Sequence, residues 1–211
     1  MNTTTVGGVK ITFFGHSSIS LEGNGVLVAI DPFAPMKLQH PADVVLHTHS
    51  HFDHCDEEKT EKVSKFNTVL IGTNCRHPCR LLKIGESIKV GGVGILAVPA
   101  YNIGKPYHVR DANCAGYILA FGTTRIYVAG DTDEIPEMEK YKCDVALLPI
   151  GGTFTMDAAA AARACAKINP RIAIPVHYGY LEETKGDAIL FKQLVERETA
   201  GKTEVRILTP A

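Results

Sequence analysis

The sequence predicts an α/β (α+β) fold, a four-layer αββα sandwich in which two β-sheets pack face to face and helices cover their outer faces. Two observations lead to this prediction. The chain runs as two halves, and each half has several short strand-like runs followed by helix-like segments. No low-complexity tract, charge block or flexible linker separates the halves, so residues 1–211 are expected to form a single domain.

The first half opens with apolar runs that glycines interrupt, a pattern typical of short strands. The compact apolar run ADVVLHT (42–48) is typical of a buried strand. The segment 56–65 has acidic residues early and lysines late, which the helix dipole favours, so a helix is predicted there. The remaining predictions for this half are strands at 9–15, 17–23, 25–31 and 68–72 and a short helix at 76–82.

The second half repeats the order of strands followed by helices. Its clearest helix is 156–168, which is mostly alanine and other good helix formers. Apolar residues at helical spacing predict a further helix at 188–199. Strands are predicted at 86–91, 93–100, 115–122, 124–131, 143–152, 171–179 and 204–210.

The charge balance argues against polyanionic partners. Lys and Arg total 22 against 23 Asp and Glu, which gives a net charge of −1 and no basic footprint for nucleic acid or an anionic membrane. No apolar run reaches the roughly 20 residues that span a bilayer, and the first residues lack a secretory pattern. We therefore expect a cytoplasmic protein that acts on small molecules, with homo-oligomerisation left open.

The six cysteines are scattered along the chain. Cys75 and Cys79 form a CxxxC pair, and this is not a recognisable zinc or redox spacing. The expectation is that the cysteines are mostly buried structural thiols in a reducing compartment.

The chemistry concentrates in HTHSHFDHC (47–55), which holds four of the nine histidines of the chain. The segment follows a predicted strand, and alternate residues of an extended loop, such as His49 and His51, reach the same side. Asp53 and His54 lie where the loop turns into a helix, so they can face a neighbouring point. Mixed imidazole and carboxylate donors suit Zn, Mn or Fe, and the pattern indicates two adjacent metal sites.

Residues 48–54, T-H-S-H-F-D-H, match the T-H-x-H-x-D-H signature of the metallo-β-lactamase superfamily. AIDPF, YVAGDTD and PVHYG resemble further motifs of that superfamily. FFGHSS and PIGGTFTMD are similar to the branch of metal-dependent hydrolases that contains ascorbate-6-phosphate lactonase. The resemblance implies the metallo-β-lactamase fold.

The resemblance also assigns residues to a dinuclear centre for two divalent ions, Zn or Mn. His49 and His51 would bind the first metal, whereas Asp53, His54 and His177 would bind the second. Asp131 would bridge both ions. Asp31 would hold a ligand imidazole in one tautomer; the alternative is a carboxylate that caps the turn before Pro32.

The first site departs from the family pattern at its third histidine. Where many relatives have that histidine, directly after the strand ending in ILAVPA, this chain has Tyr101 and Asn102. The favoured third ligand is His108. Asn102 as an oxygen donor, or a site with fewer protein ligands, are the alternatives.

Such a centre implies hydrolysis by a metal-bound hydroxide, with Asp53 and Asp131 as the catalytic carboxylates. Its local positive charge favours a small anionic substrate, a phosphorylated lactone or a phosphodiester. Lys105, Tyr107 and Arg110 are expected in the pocket, and the turn 150–153 is either a phosphate cradle or a turn that requires glycine. The alternative function is a mononuclear iron-dependent oxygenase on the same fold.

The other histidines carry weaker predictions. His16 in GHSS lies either at the pocket edge or in the structural core. His47 is expected to pack at a strand end, and His40 and His77, each next to a proline, to lie in surface turns.

Overall fold

The computed structural model describes residues 1–75 and 78–211. The helices are α1 (Glu57–Val63), α2 (Ala158–Ile168) and α3 (Ala188–Glu198), with 3-10 turns at Arg110–Ala112 and Pro136–Lys140. The strands of the first half are β1 (Thr3–Val6), β2 (Val9–Gly15), β3 (Ser18–Gly23), β4 (Val26–Ile30), β5 (Val44–His47), β6 (Val69–Gly72) and β7 (Arg80–Leu81). Those of the second half are β8 (Ser87–Val90), β9 (Val93–Pro99), β10 (Ala115–Phe121), β11 (Thr124–Val128), β12 (Val145–Pro149), β13 (Ile172–Val176) and β14 (Glu204–Val205).

Within the described residues, the strands form two seven-stranded sheets of matching design. The first has the order β1-β2-β3-β4-β5-β6-β7 and the second β14-β13-β12-β11-β10-β9-β8. In the first sheet, β1 to β4 pair antiparallel and β4 to β7 pair parallel. In the second, β8 to β11 pair antiparallel and β11 to β14 pair parallel. Each half of the chain therefore builds one sheet.

Side-chain alternation along β5 shows how the first sheet is buried on both faces. Val44 and Leu46 contribute to the core between the two sheets. Val45 belongs to a separate outer cluster with Val63 of α1. Because successive strand residues point to opposite faces, one apolar run serves both layers.

The second sheet is buried in the same way by β12. Leu147 joins the core between the sheets, whereas Leu148 packs in the outer cluster with Ala161 of α2 and Phe191 of α3. Three apolar clusters thus separate four layers, and the predicted αββα sandwich is confirmed.

Aspartate caps set the beginning of each helix. Asp56 accepts a hydrogen bond from the Lys59 backbone N–H, and Asp157 accepts one from Ala160. Such side chains satisfy backbone donors that the first helical turn leaves open. Within residues 1–75 and 78–211, none of the helices has the length and apolar character needed to cross a bilayer.

Most predicted elements agree with the structure, with three differences. The prediction of a short helix at 76–82 is wrong for the residues that the structure describes, because Arg80–Leu81 form β7, parallel to β6. Arg76 and His77 lie outside the described residues, and so does the prediction that His77 lies in a surface turn. The prediction missed β1, a threonine-rich strand that pairs with β2 across Gly7–Gly8. The last strand is only Glu204–Val205.

Candidate metal centre

The predicted site residues lie where strands of both sheets end. The loop 48–54 follows β5, and Asp131 lies three residues after β11. His177 directly follows β13, and His108 belongs to the segment between β9 and β10. The carboxyl ends of parallel strands are where α/β sheets present functional groups, so the topology brings distant segments together.

His49, His51 and His108 form the first donor cluster. Nε2 of His49 lies 3.0 Å from Nδ1 of His51, and Nε2 of His108 lies 3.2 Å and 3.1 Å from those same atoms. Nitrogens bound tetrahedrally to one zinc ion at about 2.0–2.1 Å are about 3.3–3.4 Å apart. Burial lowers the pKa values of His49 and His108, which keeps both rings neutral, as metal binding requires.

Asn102 holds His108 in this cluster. The Asn102 side-chain oxygen accepts the backbone N–H of His108 at 3.1 Å and lies 3.0 Å from its Nδ1. The Asn102 amide donates to the Phe154 carbonyl. With Nδ1 donating to Asn102, the lone pair of His108 is on Nε2, the atom that faces His49 and His51. The geometry therefore places His108 among the donor residues of the first cluster. Asn102 contacts His108 and orients its ring.

Asp53, His54 and His177 form the second cluster together with His16. Their donor atoms lie within 4.8 Å of one another. Nε2 of His16 lies 2.9 Å from Oδ2 of Asp53, and its ring centroid is 4.0 Å from that of His177. Burial opposes ionisation of Asp53, but His16 and His54 outweigh it and hold the pKa of this carboxyl at about 2.

His16 was missing from the predicted site. It is fully buried directly after β2 and contacts Asp53 from within the protein, so of the two alternatives the structure favours the structural one. The available signal was the GHSS motif, but nothing in the local sequence says that this turn meets a loop 37 residues away.

Asp131 lies between the two clusters. Its carboxylate oxygens are 3.5 Å from Nε2 of His54, 3.5 Å from Nε2 of His108 and 3.1 Å from Nε2 of His177. Although burial favours the neutral acid, His177 and His54 hold the pKa of Asp131 well below its usual range. A carboxylate in this position can contact the donor residues of both clusters at once.

Buried polar atoms at the centre of the site fit a cationic occupant. Within the described residues, Nε2 of His54, Nε2 of His177 and Oδ1 of Asp131 have no hydrogen-bond partner. Leaving such atoms unsatisfied in the interior is costly, and native structures rarely do so without a functional reason. The donor chemistry therefore fits divalent metal ions.

Asp31 and Thr48 support His54 from behind. Oδ2 of Asp31 lies 2.7 Å from Nδ1 of His54, and its carboxylate also accepts the backbone N–H and the hydroxyl of Thr48. Asp131 and Asp31 overcome the effect of burial and raise the pKa of His54 well above its usual value. Asp31, His16 and His177 all have positive φ, a strained conformation for non-glycine residues that is typical of functional sites.

A cavity of about 330 Å³ opens onto both clusters. Apolar and aromatic side chains form much of its wall. The described lining residues contain neither lysine nor arginine; they are His51, Phe52, Asp53, Tyr107, His108, Asp131, Phe154, Leu181 and Glu183.

The expectation that Lys105 and Arg110 line this pocket is wrong, whereas Tyr107 does line it. Lys105 pairs with Asp133 at 2.6 Å and donates to the Thr155 carbonyl. Arg110 pairs with Glu137 at 2.8 Å. Both cations are held by local carboxylates.

The turn 150–153 has the character of a glycine-dependent turn. The Gly152 N–H donates to the Met156 carbonyl, and its φ is +88°. A Cβ on Gly151 would lie 2.5 Å from the His177 carbonyl oxygen. Of the two alternatives, these contacts favour the turn that requires glycine.

Comparisons with known proteins agree with this architecture. Residues 10–177 match the family model described as a β-lactamase superfamily domain. A UPF0173 metal-dependent hydrolase of Methanoregula boonei is 36% identical over 207 residues, which cover 90% of this chain and 91% of the relative.

Two solved structures are also similar. A putative metal-dependent hydrolase of Parabacteroides distasonis has a TM-score of 0.80 and 32% identity, covering 95% of this chain and 92% of that one. Igni18, a metallo hydrolase of Ignicoccus hospitalis, has a TM-score of 0.79 and 29% identity, with 96% of both chains covered. The resemblance to the lactonase branch in particular stays a prediction. The chain belongs to the UPF0173 metal-dependent hydrolase family of the metallo-β-lactamase superfamily.

Proposed function

We propose that this chain hydrolyses a small molecule at a dinuclear metal centre, with Zn or Mn as the metal. His49, His51 and His108 hold one ion in this proposal, Asp53, His54 and His177 hold the other, and Asp131 contacts both. The observation that carries the proposal is that two donor clusters share Asp131 and open into one cavity. Pairs of metal ions in such sites activate water and polarise carbonyl or phosphoryl oxygens.

Asp53 and Asp131 have different roles in the proposed reaction. Asp53 faces the cavity, and the His16 hydrogen bond fixes its orientation. A carboxylate with a pKa near 2 is ionised at neutral pH, so it can accept a hydrogen bond from the attacking water and pass a proton towards the leaving group. Asp131 is almost fully buried and keeps the two donor clusters together.

The cavity wall guides the proposal for the substrate. Phe52, Tyr107, Phe154 and Leu181 suit an apolar or aromatic group. The metal centre accommodates the anionic or developing charge at the reacting group, but the described lining offers a remote phosphate no lysine or arginine. We therefore favour an aryl phosphodiester or an apolar lactone over a phosphorylated lactone.

A substrate panel tests this proposal. The enzyme, purified without chelator or histidine tag and loaded with Zn or Mn, is assayed with an aryl phosphodiester, an apolar lactone and a phosphorylated lactone. We expect Asp53→Asn to lower kcat by about 10²–10⁴-fold, and Phe52→Ala to raise KM for the aryl substrate with a smaller change in kcat. Full activity of Asp53→Asn, or turnover of none of the three substrates, would contradict the proposal.

The metal content separates hydrolysis from the oxygenase alternative. In a Cys75→Ser/Cys79→Ser variant, which excludes metal bound by these thiols, about two equivalents of Zn or Mn per chain are expected from the two donor clusters. Mainly iron, with oxygen consumption in place of hydrolysis, would favour the oxygenase.

A further inference from the structure

A second group of metal-binding side chains lies behind the candidate metal centre. One ligand atom from each of His47, Cys55 and Cys75 lies within 4.8 Å of the other two. Cys79 is close to the same place, because a Cβ on Gly72 would meet the Cys75 sulfur at 2.6 Å and the Cys79 sulfur at 3.4 Å. We call these four residues the thiol cluster: His47, Cys55, Cys75 and Cys79.

Neighbouring strand ends bring the thiol cluster together. His47 ends β5 and pairs in register with Gly72, which ends β6. Cys79 directly precedes β7, and Cys55 directly precedes the Asp56 cap of α1. Cys55 and Cys75, from two separate loops, therefore meet the His47 imidazole at the same edge of the sheet, and the Cys79 sulfur lies near that of Cys75.

The hydrogen bonds of His47 select the tautomer that a metal needs. Nδ1 of His47 lies 2.9 Å from the His54 carbonyl oxygen, which can only accept, so Nδ1 carries the proton. The lone pair is then on Nε2. Nε2 also lies 3.3 Å from the Thr60 hydroxyl, whose shorter contact, at 2.6 Å, is the hydrogen bond that it donates to the Asp56 carbonyl. A ligand histidine commonly donates its other N–H to a backbone carbonyl in this way.

We propose that the thiol cluster binds a structural Zn²⁺ ion through three thiolates and Nε2 of His47. A Cys₃His set is a closed, tetrahedral donor set of the kind that structural zinc uses, with ligand atoms about 3.5–3.8 Å apart. Thiolate sulfurs also select zinc over harder cations. Binding releases up to three thiol protons, and the resulting charge of three thiolates is largely offset by the ion.

The electrostatics of the cysteines agree with a cationic occupant. The sulfurs of Cys55 and Cys75 lie within 4.8 Å of each other, so two thiolates at these positions would repel one another. A cation among them removes that repulsion. A disulfide is the competing outcome, but it would use only two of the three sulfurs.

The site would stabilise the loop that carries the candidate catalytic residues. Cys55 directly follows His54, and His47 binds the His54 carbonyl. A zinc ion here would tie the end of residues 49–54 to the β6–β7 connection. The ion would act on the hydrolytic centre only through the backbone of that loop.

Cobalt substitution of the wild-type protein is the direct test. The protein is purified under reducing, oxygen-free conditions without a histidine tag, stripped, and reloaded with Co²⁺. Thiolate ligands give a near-ultraviolet sulfur-to-cobalt charge-transfer band, which the His/Asp clusters cannot produce because they contain no sulfur. We expect this band, and its absence from the wild-type protein would overturn the proposal.

Matched variants show which residues give rise to the charge-transfer band. Cys75→Ser/Cys79→Ser should lose the band and about one equivalent of zinc per chain, whereas Cys143→Ser, a control cysteine outside the cluster, should keep both. His49→Ala should keep the band even if hydrolysis is lost, so failure of the proposed function and failure of this proposal are distinguishable. Unchanged zinc content in the double variant, or a Cys55–Cys75 disulfide found by mass spectrometry in place of zinc, would contradict the proposal.

Discussion

Asn102 stands where the motif predicts a third histidine, and the nearby His108 takes the place of that histidine. The chain has Tyr101 and Asn102 where the superfamily resemblance predicts a third histidine, yet an imidazole still reaches the first cluster from His108. The connection between them is a short loop closed by the Asn102 N–H, which donates to the His108 carbonyl at 2.7 Å. The Asn102 side chain then fixes the ring of His108 from the far side.

We expect Asn102→Ala to weaken metal binding without removing a donor. The loss of an orienting contact to a ligand histidine typically costs 10–100-fold in affinity, whereas His108→Ala should cost about one equivalent of metal outright. Competition with a chelator, followed by elemental analysis, measures both effects. Equal affinities of wild type and Asn102→Ala would contradict the orienting role.

The ionised carboxylate of Asp43, away from the candidate metal centre, stabilises the folded protein. It accepts the Leu27 backbone N–H at 2.9 Å and pairs with Lys65 at 2.6 Å. Partial burial opposes its ionisation, but these two contacts together lower its pKa. Because the folded-state pKa is the lower one, the stabilisation is present above the ordinary pKa of aspartate and is lost as pH falls through the folded-state value.

Asp43→Asn should therefore lower the free energy of unfolding by about 1 kcal/mol at pH 7, a figure reduced for the partial exposure of the pair. The difference from wild type should shrink as pH falls through the lowered folded-state pKa of Asp43, since the wild-type carboxyl then becomes neutral as well. Urea unfolding at several pH values measures this. A difference independent of pH would mean that the charge is not responsible.

At the scale of elements, the end of β11 depends on Gly130. Its φ is +65°, and an added Cβ would lie 2.7 Å from the Ala115 carbonyl oxygen of the neighbouring strand β10. Asp131 comes next in the chain, so the same turn that avoids this contact also directs the shared carboxylate into the site.

Gly130→Ala should destabilise the fold by about 2–4 kcal/mol, from the left-handed conformation together with the steric conflict. Gly122→Ala is a matched control, because its φ is +62° but its nearest contact to an added Cβ is at 3.8 Å. The control should cost about 1 kcal/mol and keep its metal content. Chemical denaturation and elemental analysis of both variants measure this; equal losses would remove the steric argument.

For the whole molecule, the sequence predicts the layers better than the contacts between loops. Apolar alternation in runs such as 42–48 is a local property, and it gave the two sheets and the four layers. The motif 48–54 likewise predicted four metal ligands: His49, His51, Asp53 and His54. His16, Asn102 and the thiol cluster were not predicted in their roles, because each depends on a meeting of segments that are far apart in sequence.

The failed predictions have a similar cause. Lys105 and Arg110 are near His108 in sequence, which suggested a cationic pocket. Asp133 and Glu137, which come from beyond β11, hold the two cations elsewhere. Charge in a sequence window does not indicate which carboxylate will neutralise it in the fold.

The candidate metal centre also joins the two halves of the molecule. His49, His51, Asp53 and His54 follow a strand of the first sheet, whereas Asp131 and His177 follow strands of the second. Metal ions bound between them would cross-link the sheets in the folded state and would have no equivalent site in the unfolded chain. Binding should therefore stabilise the whole sandwich.

We expect metal removal to lower Tm by about 5–10 °C for each ion lost, relative to protein at a free-metal concentration 100 times Kd. The experiment uses Cys75→Ser/Cys79→Ser, so that zinc at the thiol cluster does not contribute. Calorimetry with and without chelator measures the shift, and Tm should rise steadily with free metal concentration. His177→Ala in the same background should show a smaller shift, since it removes a donor from the second sheet. A Tm that is unchanged while bound metal falls to zero would mean that the ions do not bridge the two sheets.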